Sequence, residues 1–215
     1  EIKHEKLRYG LIIAMIVLIS YLIFILTSLA LGLAQENTAA IDGWKIRSAV
    51  LNKDSDVSLR QSLLTTDQVN KLTKDKNNAV IAETSIVAKT KGKAKQASTF
   101  IGLDNSQFIS KDLKLTSGHK PENDRQVVVD DSFKQYGYKL NDKLTINSDS
   151  TAYTIVGFTH NAKLNISPIV YGTIPTWQKL RGMGNAFGGS AVVSKQANID
   201  NSDKNLKVYT VTQVI

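Results

Sequence analysis

Residues 11–33 read LIIAMIVLISYLIFILTSLALGL, 23 positions without a charge or a proline. A helix rises about 1.5 Å per residue, so about 20 apolar residues cover a hydrocarbon core of roughly 30 Å. Only a helix satisfies every backbone N–H and C=O within one segment in that solvent. A helix packed inside a soluble core would carry a polar stripe, whereas Ser20, Tyr21, Thr27 and Ser28 are scattered along this one. The pattern predicts a membrane-spanning helix. Lys3, Lys6 and Arg8 before the run and Gly32-Leu33-Ala34 at its end also fit the outline of a cleavable secretory signal. The run is longer than the about 7–15 apolar residues of a signal core, which favours a retained span. The basic flank and Tyr9 put the amino terminus in the cytoplasm. The expected division is a cytoplasmic lead-in at 1–10, the transmembrane helix at 11–34 and an extracytoplasmic domain at 35–215.

Past the span no helix breaker occurs before Gly43, so the helix is expected to run on out of the bilayer. The period then changes. Trp44, Ile46, Ser48 and Val50 alternate with Lys45, Arg47, Ala49 and Leu51, which is the pattern of a first strand. Residues 52–58 interrupt it, 59–64 suit a short strand or turn, and Thr65-Thr66-Asp67 opens a helix through Val69 and Leu72. Two strands at 79–89 and 97–103 flank a lysine-rich tip. Gly118-His119-Lys120-Pro121 reads as a turn, 126–129 as a short buried strand, and Asp130-Asp131-Ser132 as the cap of a helix stopped at Gly137. Strands at 143–146 and 153–158 form a hairpin across 147–150. A strand at 169–171 precedes a helix with Pro175 in its first turn. Gly182, Gly184, Gly188 and Gly189 suggest a flexible connector before closing strands at 191–193 and 207–211. The expected fold class is α+β: one N-terminal transmembrane helix, then a mixed α/β domain rich in short antiparallel strands.

Charge and composition narrow the partners. The chain carries 27 basic and 19 acidic residues, a net +8. Residues 1–10 hold Lys3, Lys6 and Arg8 against Glu1 and Glu5, so +7 of it lies beyond them. That excess favours anionic partners such as lipid headgroups, wall polymers or an acidic ligand over nucleic acid, which an exported domain rarely meets. With no cysteine there is no disulfide framework and no thiolate chemistry. Lys89, Lys91, Lys93 and Lys95 alternate with small residues, and in a strand all four ammonium groups would lie on one side. They are candidates for anion contact, or else charges that keep an edge strand from aggregating. Gly10-x-x-x-Ala14 and Ser28-x-x-x-Gly32 are candidate helix-interface pairs, because small side chains let a second helix approach. Tyr21, near mid-bilayer, has a hydroxyl that wants a partner. Glu36, just past the apolar run, is either a solvated helix-end residue or a carboxylate placed to meet a cation, metal or polar ligand.

No chemistry of catalysis is visible. His4, His119 and His160 lack an H-x-x-x-H or a paired acid at ligand spacing. No serine sits in G-x-S-x-G, and no G-x-x-x-x-G-K-S/T is present, so nucleotide would be handled by another polypeptide. Trp44, Trp177 and Tyr171 read as core or membrane-interface anchors rather than a ligand cage. No metal site and no cofactor of its own are expected in this chain.

One ordered set of motifs does carry a resemblance. After the span come GHKPENDRQVVVDDSF at 118–133, GYKLNDKL at 137–144, YTIVGF at 153–158 and PIVYGT at 168–173. In this order the chain resembles the extracytoplasmic domain of the four-helix ABC permeases called MacB-like or FtsX-like. AQEN at 34–37 is similar to the haem-exporting, HrtB-like members in Gram-positive bacteria. The resemblance implies a MacB periplasmic-core-like fold and a permease subunit that dimerises and works with a cytoplasmic ATPase, where ATP binds. It also implies three further spans, so the chain is expected to be a fragment. Haem or another amphipathic compound becomes the implied substrate, with Tyr21, Phe24 and Ser28 along its path and Glu36 meeting the haem metal or the aqueous exit. The FtsX-like members imply an alternative: a membrane-anchored module that activates a cell-wall enzyme or senses a ligand.

Overall fold

The computed structural model of the chain describes residues 2–160, 162–164 and 166–214, the side chains of 2–5, 7, 32–40 and 42 excepted. Helix α1 (Ile2–Trp44) is unbroken over 43 residues, a rod of about 65 Å. Its stretch Arg8–Leu31 is long and apolar enough to cross a membrane and is nowhere buried by the rest of the protein. The helix passes Gly43 and stops where Lys45 turns to φ +54, the left-handed conformation that closes many helices. Trp44 is therefore the last helical residue, not the first of a strand. β1 begins four residues later, at Ser48–Asn52.

The head that follows is built around one long strand. β2 (Leu64–Thr65) leads into α2 (Thr66–Leu72), which starts on a capping box. Gln68 N–H donates to the Thr65 hydroxyl at 3.2 Å, and Thr65 N–H donates to Gln68 Oε1 at 2.9 Å. β3 (Asn78–Lys89) and β4 (Gln96–Leu103) are an antiparallel hairpin. After α3 (Phe108–Asp112) come β5 (Leu115–Gly118) and β6 (Gln126–Asp130). The capped turn after Asp130 is a 3-10 helix over Asp131–Tyr136, ended by Gly137 at φ +80. β7 (Lys143–Ile146), β8 (Tyr153–Thr159), β9 (Lys163–Leu164) and β10 (Ser167–Thr173) precede α4 (Ile174–Leu180). β11 (Phe187–Gly189), β12 (Ala191–Ser194), β13 (Leu206–Thr210) and α5 (Val211–Val214) complete the chain. The glycine-rich stretch is no loose connector, because β11 pairs with β2 and Gly188 and Gly189 are buried.

The pairings close a ring. β3 pairs with β4, β4 runs parallel to β10, β10 pairs with β6, β6 runs parallel to β8, and β7 joins β8 back to β3. Phe100, Phe133, Leu144, Tyr153, Phe158 and Trp177 belong to the core of this ring and are all but fully buried. On its other edge, the first half of β3 pairs with β12, which continues to β1 and β13. β3 is thus the one strand shared by the ring and the flanking sheet. Its alternation divides the cores. Ala79 and Ile81 face the cluster holding Ile41 and Trp44 of α1, Val80 faces Val69 and Leu72 of α2, and Ala82, Ile86 and Ala88 face the ring.

Candidate functional site

The place where the rod meets the head is the best-built feature of the molecule. Ile41 and Trp44, the last two buried positions of α1, sit in the same core as Ile81, Ile101, Leu164 and Tyr171. The Trp44 indole N–H donates to the Tyr171 hydroxyl at 3.1 Å, joining residues 127 positions apart. Burial pushes the Tyr171 hydroxyl far above the usual phenol range, and the bond from Trp44 only partly opposes it. Tyr171 therefore stays neutral, and the hydroxyl serves as an acceptor inside the core. A buried polar group that loses its partner costs about 1–3 kcal/mol, so this bond fixes which way the helix end is seated.

A cavity of about 520 Å³ opens beside this joint, lined among others by Trp44, Lys45, Asp112, Lys114, His160 and Tyr171. Its rim is of mixed charge. Lys195 hydrogen-bonds Asp112 at 2.8 Å and holds that carboxyl below its ordinary range, helped by the charges of Lys45 and Lys120. His160 is 79% exposed and lies 3.7 Å from Asp131. His119 is exposed in its turn, with Nδ1 2.8 Å from the Lys120 carbonyl oxygen, while the side chain of His4 lies outside the described residues. Among the described residues no three of His, Asp and Glu gather as a metal site. The joint seats the end of α1 in the core of the head.

The residues picked out along α1 fall on one side of it. Tyr21, Phe24 and Ser28 are exposed, as are Gly10 and Ala14. At about 100° per residue these five positions share an arc of about 80°. Ile41 and Trp44 project roughly opposite to that arc. The stripe thus points away from the head, and the two candidate sets coincide. Nothing lies within 4 Å of a Cβ built on Gly10. Gly32 and Glu36 fall at 32–40, where side chains lie outside the described residues.

The lysine tip differs from its expected geometry. Strand β3 ends at Lys89, and the tip is a turn with Gly92 at φ +77, so Lys89, Lys91, Lys93 and Lys95 do not share a strand face. Lys89, Lys91 and Lys95 are exposed, but Lys93 turns inward to an ion pair with Asp142 and lies 5.4 Å from the Tyr138 ring centroid. Partial burial alone would raise the Asp142 carboxyl. Hydrogen bonds from Lys93 and the Lys139 N–H outweigh it and hold the carboxyl below its ordinary range. A carboxyl depressed on folding stabilises the protein above its unfolded pKa of about 3.9, and that contribution fades as pH falls through the folded value. Asp142→Asn is therefore expected to lower stability by about 1 kcal/mol at pH 7. The deficit should shrink as pH is lowered from 5 towards 2, as urea melts at each pH would show.

No family model matches the chain. By sequence it is 30% identical over 173 residues to a Staphylococcus epidermidis protein with the provisional name "hemin transport system permease protein HrtB", covering 79% of this chain and 47% of that one. The Staphylococcus haemolyticus protein of the same name is 24% identical over 172 residues, with the same coverage. The chain spans about half the length of these relatives. By fold, it is similar to the periplasmic region of MacB from Actinobacillus actinomycetemcomitans, with a TM-score of 0.57 and 15% identity over 81% of this chain and 93% of that one. The head has the fold of the MacB periplasmic region. The extracellular domain of the noncanonic ABC-type transporter YknZ from Gram-positive bacteria gives 0.51 at 15% identity, over 74% of this chain and 85% of that one. A MacB-like head on one long apolar helix matches the α+β class and helix-then-sheet order expected from the sequence.

Three links escape the sequence pattern. Trp44 and Tyr171 each read as anchors, but nothing local pairs them across 127 positions. Asp142 reads as a turn residue rather than the partner of Lys93. Glu83 is a lone acid in the apolar run of β3, and its isolation there is the one local sign that it is unusual.

Proposed function

We propose that this MacB-like chain works as the permease part of an ABC-type exporter, with the head outside the membrane and the ATPase a separate cytoplasmic polypeptide. The observation that carries the reading is the joint. A single rod long enough to cross the bilayer ends with Ile41 and Trp44 locked into the head core. Movement imposed at the cytoplasmic end of such a rod is delivered to the head without a flexible linker to absorb it. The exposed stripe with Gly10, Ala14, Tyr21, Phe24 and Ser28 supports contact with a second copy or with a ligand moving along the helix. The HrtB relatives, named for hemin transport, make haem or another amphipathic anion the proposed cargo. The basic excess of the head suits an anionic one.

Two measurements test this. The chain has no cysteine, so Lys91→Cys at the exposed tip gives one labelling site. A membrane-impermeant maleimide should label it in intact cells, and labelling only after lysis would place the head in the cytosol and end the reading. In the complete permease with its ATPase, added haem should raise ATP hydrolysis several-fold. An ATPase rate indifferent to haem would remove haem as the cargo, and response to a cell-wall hydrolase instead would favour the activator role.

A further inference from the structure

Glu83 pairs with Ile101 of β4 on one side, but on the opposite edge it sits in a gap between the partners of β3. The strand's last pair with β12 is Ile81 with Ala191, and it first meets β7 at Ala88. Between them the backbone of Glu83 is satisfied by side chains. Its N–H donates to Ser190 Oγ at 2.8 Å, and its carbonyl accepts from the Trp177 indole at 2.9 Å. The carboxyl, only 7% exposed, belongs to a cavity of about 440 Å³ shared with Arg60, Gln61, Leu164, Gln213 and Val214. Among the described residues no hydrogen bond reaches it. The nearest cation is Arg60 Nε at 3.9 Å, on a side chain 59% exposed.

A carboxylate removed from water needs donors or close charges, and one solvated guanidinium at that distance is a weak substitute. Burial raises the Glu83 carboxyl above its ordinary range, with Arg60 and Arg181 pulling the other way. Asp56, on the rim of the same cavity, adds a second negative charge. Asp56 and Val57 hold φ of +49 and +59 on that rim, and for β-branched Val57 this is a costly conformation.

We propose that this cavity binds a ligand carrying a primary ammonium group, with Glu83 as its counter-ion. An ammonium offers three donors to an acceptor-only carboxylate, and the amide oxygen of Gln61, with the second lone pair of Gln213 Oε1 beside the Thr210 N–H it already accepts, is a candidate for the N–H groups left over. Leu59, Leu164 and Val214 provide an apolar wall for a short aliphatic body. A divalent metal fits poorly, because hard cations take six or more oxygens and Arg60 stands in the same cavity. An anion would have to displace Glu83. None of this depends on the transport reading.

The test uses the full chain in phosphatidylglycerol nanodiscs, with its five glutamates labelled at the carboxyl carbon. At pH 7.5, n-butylammonium should displace the Glu83 carboxyl resonance and the Trp177 indole N–H saturably, leaving the exposed Glu122 unmoved. n-Butanol should move neither. Glu83→Gln, read at the Trp177 indole, should weaken binding at least about tenfold. Arg60→Met, which removes the competing cation, should tighten it several-fold. Repeating the measurement with phosphatidylethanolamine separates the sources of the amine. Displacement before any amine is added identifies a lipid headgroup as the ligand, and displacement only by n-butylammonium identifies a soluble one. Absence of saturable displacement in both lipids, equal displacement by n-butanol, unchanged affinity in Glu83→Gln or weaker affinity in Arg60→Met would each overturn the proposal.

Discussion

Replacing Trp44 by alanine is expected to destabilise the head by about 3–5 kcal/mol, the usual cost of emptying a buried tryptophan site. Two losses combine. The indole leaves a void among Ile41, Ile81 and Tyr171, and the Tyr171 hydroxyl, in a fully buried position, loses the one donor it has among the described residues. Trp44→Phe separates them, since it keeps most of the apolar surface and removes only the N–H. That variant should cost about 1–3 kcal/mol. Trp177 is the one tryptophan left in either variant, and it is buried in the ring, so its fluorescence in urea melts reports unfolding of the head directly. A midpoint for Trp44→Ala within error of the parent would mean that the rod rests on the head without being seated in it. Under the transport role proposed above, the same change in the complete protein with its ATPase should leave ATP hydrolysis running while export falls. Equal export by parent and variant would refute the rod as the coupling element.

The parts of this arrangement were unequally legible in the sequence. The long apolar helix, the first helix of the head and most strands follow from local periodicity and capping, because 3.6- and 2-residue repeats and a Thr-x-x-Gln box act within a few residues. The closure of the ring does not. β7 looks like one arm of a hairpin with β8, which it is, and nothing in Lys143–Ile146 shows that its end also pairs with Ala88. Register between distant strands is set by matching cores, which single-chain alternation does not reveal. The lysine tip illustrates the opposite error. Alternation was present, but Gly92 took a left-handed conformation, and a turn replaced the strand on which the pattern depended.

The candidate site divides in the same way. Tyr21 stands out in the sequence because its hydroxyl falls in an apolar run, whereas Phe24 and Ser28 join it only through the family resemblance. Tyr171 does not stand out, because a tyrosine in a β-rich run is ordinary until its hydroxyl is seen to face a helix end. What makes the joint work is that the strand carrying Tyr171 lies between β4 and β6 in the ring. The helix is therefore anchored to a strand paired on both sides and not to a surface loop. A push on the rod is resisted by the ladder bonds of three strands together, and the head should respond as a body.

Gly118→Ala is expected to be the most damaging single-methyl change in the head away from the joint. Gly118 pairs with Gly157 across β5 and β8, and it holds φ +80. A Cβ there would stand 2.8 Å from the Gly157 Cα and 2.9 Å from the Val156 carbonyl carbon, with the carbonyl oxygen closer still. These are backbone atoms of a paired strand and have no rotamer to yield. The left-handed conformation costs about 1–2 kcal/mol for a residue with a side chain, and forcing the strands apart adds about 1–3 kcal/mol. Gly137→Ala is the matched control, since it has the same φ of +80 but nothing within 4 Å of the added methyl. It should show the conformational cost alone. The difference between the two variants in urea midpoint, at unchanged slope, isolates the close approach. If they proved equal, the β5–β8 crossing would be looser than its geometry implies. Because α3 and the segment bearing Asp112 and Lys114 enter β5 directly, a parted crossing should also disturb one wall of the cavity beside Trp44. Gly118→Ala is accordingly expected to alter the environment of the Trp44 indole in the surviving folded fraction, and Gly137→Ala is not.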